Sequence, residues 1–186
     1  MGPDLRQLLG RPRRAPSRLR VYSDPLQHAL IAAFVVAPLV PRAGSRVIGT
    51  AVAAATAIDV DHAVAARSFR VRATTSLPAR PRTHNVFTAL GAGAVVGAAA
   101  GPAHGWAAFS ALVSHLLHDA GDTAAPTPVL WPFAAPRQLG RRWQLVGTAG
   151  LALGSAAISR ALAGPSRAPS PARADDGAAA ALPRTA

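Results

Sequence analysis

The chain of 186 residues has no cysteine, no lysine and no glutamate. Without cysteine there is no disulfide framework, no thiolate metal site and no thiol nucleophile. With arginine as the sole strong base and aspartate as the sole acidic residue, the composition reflects a GC-rich coding bias. The net charge of +12 is therefore a weak argument for nucleic acid. The arginines are spread through flanks and loops, with no aromatic interleaving and no recognition motif, and nucleic acid ranks last among the partners considered. Aromatic residues are few, at 5%. The N-terminal "MGPDLRQLLGRPRRAPSRLR" is charged but lacks the contiguous apolar core of a secretory signal.

What the chain does have is apolar stretches dominated by alanine, leucine and glycine. They cover 26–41, 47–58, 86–103, 105–118 and 143–163. Being apolar all round rather than alternating, they predict helices. By length, only the third and fifth approach the roughly 20 residues that cross a bilayer. Small residues at close spacing, "GAGAVVGAAAG" and "GTAGLALG", permit close helix–helix approach in lipid. The expected fold is all-α: a small membrane-embedded bundle of about four to five helices. Its expected boundaries are a basic flexible flank at 1–22, the embedded domain at 23–164, and a disordered Pro/Ser/Ala-rich tail at 165–186.

Polar residues fall on these segments by rule. His28 opens the first stretch, and Asp59, Asp61 and His62 close the second in "AIDVDHAV". His84 precedes the third, and His115, His118, Asp119 and Asp122 close the fourth in "SHLLHDAGD". If consecutive segments run antiparallel, all these positions meet at one face. His115 and Asp119 are spaced i, i+4 on one helical face, and Gly121 is a candidate end of that helix. His118 reads as a neighbour rather than a ligand, His104 belongs to the far surface, and Asp24 sits in a plainly polar flank. Asp59 alone would read as a helix cap.

Imidazole and carboxylate groups suit zinc, manganese or a similar divalent ion. A cation also offsets the cost of carboxylates in apolar surroundings. The expected ligand set is His28, Asp59, Asp61, His62, His84, His115 and Asp119, with zinc the first choice and manganese the second. Asp61, His62, His115 and Asp119 lead that set. Asp59 is the candidate base or bridging ligand, and His84 a ligand or acid. Such a site suits phosphoester hydrolysis, with the ion lowering the pKa of bound water and a carboxylate taking its proton. Arg67, Arg70, Arg80 and Arg82 flank the site and suit an anionic substrate. The arginine-rich segments, 1–22, 63–83 and 137–142, lie on the site's side of the bundle, which predicts a cytoplasmic site in the inner membrane.

The order of these motifs resembles the YdjM-like family of inner-membrane, LexA-binding, metal-dependent hydrolases. A histidine opens the first stretch, "DVDH" closes the second and "RTHN" precedes the third. "SHLLHD" then leads through a proline-bearing turn to "TPVLWPF". The resemblance spans about residues 26–163 and implies the same seven site residues, with Trp131 and Pro132 as a structural lid or interfacial anchor. It also implies a phosphoester or lipid-linked substrate. The chain departs from the family in "ARPRTHN", which lacks the family's first histidine and its serine, and in a longer loop carrying Asp122. The competing reading is a non-catalytic membrane protein that recruits a protein partner, with a structural metal.

Overall fold

The computed structural model describes residues 18–75, 77–122 and 125–164. The expected tail at 165–186 and most of the N-terminal flank lie outside them. Eight helices follow in order: α1 (Arg18–Val36), α2 (Val40–Ala43), α3 (Arg46–Ala57), α4 (Val60–Ala66), α5 (Val71–Thr75), α6 (Val86–Ala100), α7 (Pro102–Asp122) and α8 (Arg141–Leu162). Among the described residues the only extended pairing is an isolated bridge between Thr127 and Arg137. The fold is all-α, with five rods. Helix α1 starts at Arg18, inside the segment read from sequence as a flank.

Prolines and glycines set the breaks. A single 3₁₀ turn, Ala37–Leu39, joins α1 to α2, where Pro38 and Pro41 cannot donate to the helical ladder. Gly44 at φ 79° ends α2, a conformation that suits glycine. The first rod thus runs on through α2, and the second runs on from α3 into α4. Ser23–Ala43 and Arg46–Ala66, each of 21 residues, and Arg141–Leu162, of 22, are long and apolar enough to cross a membrane. This corrects the reading of lengths from sequence. The third stretch forms a helix of only 15 residues, because Gly101 at φ 95° and Pro102 stop it. The fourth extends to 21 residues and passes through Gly121 to Asp122.

Helix α7 lies at the centre, packed on α1, α3, α6 and α8. The core is built from small side chains: Ala32, Val35, Val36 and Leu39 of the first rod, Val47, Ala51 and Ala55 of α3, and Ala107 and Ala111 of α7. The outer surface is apolar instead. On α1, Leu26, Leu30 and Phe34 are about 60% exposed, while His28, one turn before Ala32, is buried. Apolar residues outside and ionisable ones inside is the pattern of a protein solvated by lipid. The chain is therefore membrane-associated.

Small residues let the rods approach closely enough to enclose the polar site. A Cβ at Gly105 of α7 would lie 2.7 Å from Gly93 O and 2.7 Å from Gly97 Cα on α6. No side-chain rotation relieves a clash with backbone. Gly105→Val should therefore force α6 and α7 apart and destabilise the bundle by about 1–3 kcal/mol. The check is the thermal midpoint in detergent micelles, with Gly150→Val, where space is open, as the tolerated control.

Candidate metal centre

The rods deliver their ionisable residues to one end, as antiparallel order requires. His28 lies on α1, Asp59 between α3 and α4, Asp61 and His62 at the start of α4, His84 just before α6, and His115 and Asp119 near the end of α7. At the opposite end, Nδ1 of His104 lies 2.7 Å from Thr50 Oγ1, so His104 belongs to the far surface, as expected.

Local structure explains how two of these groups are aimed. Asp59 occupies the N-cap position of α4 but makes no side-chain cap hydrogen bond. Its carboxylate turns to the interior, so capping does not account for it. Before α6 the capping task falls to Asn85, whose side chain accepts from the backbone N–H of Phe87 and Thr88 at 2.9 Å each. The preceding residue, His84, is fully buried.

Four side-chain atoms form a closed ring at the centre. His115 Nε2 lies 3.5 Å from Asp59 Oδ1 and 3.5 Å from Asp119 Oδ2. His84 Nε2 lies 3.7 Å from Asp59 Oδ1 and 3.6 Å from Asp119 Oδ2. These separations exceed a hydrogen bond. A tetrahedral ion with bonds of about 2.1 Å places its ligands about 3.4 Å apart, close to these four separations; His84, His115 and Asp119 form a three-residue group that could hold an ion, with Asp59 at its edge.

Tautomers sharpen the case. His115 Nδ1 is 2.7 Å from the carbonyl oxygen of Ala55, which can only accept, so Nδ1 carries the proton. A neutral His115 then presents a bare lone pair at Nε2, facing two carboxylate oxygens. Among the described residues neither His115 Nε2 nor His84 Nε2 has a hydrogen-bond partner. Lone pair against carboxylate is repulsive unless a metal ion or a proton lies between them. Buried imidazoles and carboxylates grouped in this way could hold a metal ion.

The remaining residues of the predicted set surround this ring. His84 Nδ1 is 2.8 Å from Asp61 Oδ2, which also accepts from the Thr83 hydroxyl. Asp61 therefore stands behind His84 and orients it, the arrangement usual for a metal-ligating histidine. That differs from the direct ligation expected from sequence. Arg80 NH1 lies 2.9 Å from His62 Nε2; a guanidinium only donates, so the proton of neutral His62 sits on Nδ1. That atom is 3.1 Å from Asp61 Oδ1 and 3.6 Å from Asp59 Oδ1, and His62 forms with Asp59 and His84 a further group that could hold an ion in place of that proton. His28 stacks on His115 with ring centroids 3.6 Å apart and approaches the other oxygen of Asp119 at 3.7 Å.

Three participants were not assigned to the site from sequence. Arg80 NH2 donates to Asp119 Oδ1 at 2.9 Å; it had been noted only as a flanking arginine. Asp24 and His118 lie 3.7 Å apart beside His28. The i, i+4 spacing of Asp24 and His28 was the available signal. The side chain of Asp122 lies outside the described residues. Trp131 and Pro132 sit at the same end, where they line a shallow pocket with Asn85, Phe87, Thr88 and Phe133. Trp131 carries the Arg82 guanidinium over its ring at 5.4 Å.

No family model, curated protein or solved structure matches the chain.

The charge state of His84 follows from its neighbours. Burial pushes its ring below the ordinary 6.5, but the nearby Asp59 carboxylate and the hydrogen-bonded Asp61 carboxylate outweigh burial and raise it to about 9. With the folded value raised, the proton on His84 stabilises the metal-free fold fully below about 6.5, and the contribution is lost as pH rises through about 9. A divalent ion bound at Nε2 replaces that proton. The thermal midpoint of chelator-treated protein should therefore fall between pH 6.5 and 9, and added zinc should remove the decline. A midpoint independent of pH in the metal-free protein would contradict this assignment.

Proposed function

We propose that the protein is a membrane-embedded, metal-dependent hydrolase that cleaves a phosphoester, as the resemblance to the YdjM-like family implies. The observation that carries this reading is the ring of Asp59, His84, His115 and Asp119, three of whose side chains are sealed while one opens outward. The side chains of His84, His115 and Asp119 are 0% exposed, whereas that of Asp59 is 33% exposed. A catalytic metal site leaves a coordination position open beside three protein ligands; with His84, His115 and Asp119 as those ligands, the Asp59 side is the open position.

A divalent ion, zinc before manganese, supplies Lewis acidity and lowers the pKa of bound water towards neutrality. The chain's own groups do the rest. Asp61 holds the His84 ring, and Ala55 O holds the His115 ring, each in the tautomer that directs Nε2 inward. Asp59, at the open side, takes the proton of the attacking water. Arg80 is buried to 16% side-chain exposure and is the cation nearest the ring that can face a phosphoryl oxygen.

The substrate is an amphipathic phosphoester, and the bilayer delivers it. Supporting this, the apolar pocket beside Asn85 opens at the same end as the ring. Trp131 and Phe133, 37% and 81% exposed, suit the membrane–water boundary. Arg67, Arg70, Arg72, Arg82, Arg141 and Arg142 belong to segments at this end, against Arg42 at the end of the first rod, Arg46 at the start of the second and Arg160 in the last turn of α8. By the positive-inside tendency the site faces the cytoplasm from the inner membrane.

The test uses the full chain in detergent with zinc or manganese, against bis(p-nitrophenyl) phosphate and phospholipid micelles. Asp59→Asn should lower kcat by about 10²–10⁴-fold with the helical spectrum unchanged. Asp61→Asn should weaken metal binding by about 10–100-fold. Metal bound without turnover of either substrate class would replace this proposal with the partner-recruiting reading.

A further inference from the structure

One cluster beside the ring is not used by the mechanism above. Asp24 lies one turn before His28 on α1, and both face His118 of α7. Asp24 Oδ1 is 3.8 Å from His28 Nε2 and 3.7 Å from His118 Nε2. The two imidazoles stand edge-on, with centroids 4.7 Å apart. Both are almost fully buried, at 2% and 4% exposure. Among the described residues His118 Nε2 has no hydrogen-bond partner.

We propose that Asp24, His28 and His118 form a second cation position, adjacent to the ring and separate from it. This inference rests on the metal-dependent reading given above. The simpler alternative is an ion pair between Asp24 and a protonated histidine. Against it, one carboxylate oxygen stands too far from both imidazoles for a hydrogen bond, yet at the separation two ligands take around a shared ion.

A polar group also stands behind His118. The side-chain amide nitrogen of Gln144, on α8, lies 2.8 Å from His118 Nδ1. A flip of that amide, which exchanges its nitrogen and oxygen in place, lets the oxygen accept the Nδ1 proton and frees Nε2 as the lone-pair donor that a bound ion requires. Charge balance points the same way. Asp24, Asp59, Asp61 and Asp119 carry four negative charges, set against the positive charge of Arg80, which pairs with Asp119. One divalent ion leaves that group net negative, whereas two make it net positive, the sign a phosphoryl anion requires. Paired ions also suit in-line phosphoester displacement, one for the attacking and one for the leaving oxygen.

The experiment is zinc stoichiometry by equilibrium dialysis on the full chain in detergent micelles, with circular dichroism as the folding control. The wild type should bind two zinc ions. Asp24→Asn, at a side chain 41% exposed, and His118→Gln should each bind one. Gln144→Leu should weaken one of the two by about 10–100-fold. Two ions retained in both Asp24→Asn and His118→Gln would overturn the proposal, as would loss of both ions in a helical Asp24→Asn protein. A wild type that binds one ion, lost in Asp119→Asn and kept in Asp24→Asn, would overturn the second position and leave the ring standing. A wild type that binds none would overturn both.

Discussion

Lone pairs of His84 and His115 directed at the carboxylates of Asp59 and Asp119 form the contact on which the rest of this structure depends. In an apolar interior such a meeting is costly unless positive charge sits within it. Every supporting feature makes sense as a means of maintaining it. Ala55 O and Asp61 select the tautomers, and Arg80 holds the outer oxygen of Asp119. Asp59, at a helix start, leaves the cap unmade and turns inward.

The scaffold that allows this is made of small residues. Alanines fill the core between the first rod, α3 and α7, and glycines on α6, α7 and α8 meet backbone or large side chains at contact distance. Packing at that range brings helix ends from four rods within a few ångströms of one another. Large side chains are sent to the outside, where lipid solvates them. The same economy of volume thus serves both membrane residence and the enclosure of a polar cluster.

Much of this was legible in the sequence. Because antiparallel rods alternate direction, the places where His28, Asp59, Asp61, His62, His84, His115 and Asp119 fall along the stretches already imply one face. The all-α class followed from apolar runs without alternation. What was not legible depended on direction and on exact helix ends. Asp61 and Asp59 are two residues apart, and only the turn into α4 decides which one faces the ring. Asp24 looked like a polar flank residue until helix α1 ran back through it to Arg18. His118 reads from sequence as a neighbour of His115, and only the fold places Asp24 and His28 of α1 beside it. Span lengths were misjudged because the first two rods continue past their apolar windows, while Gly101 and Pro102 cut the third short.

The most direct measurement is zinc K-edge X-ray absorption of the full chain loaded with one equivalent of zinc. The account predicts a first shell of nitrogen and oxygen only, near 2.0–2.1 Å, with the outer-shell scattering of about two imidazole rings. That scattering should be reduced in His115→Ala. A shell of oxygen alone, without imidazole scattering, would place the ion elsewhere and contradict the central claim.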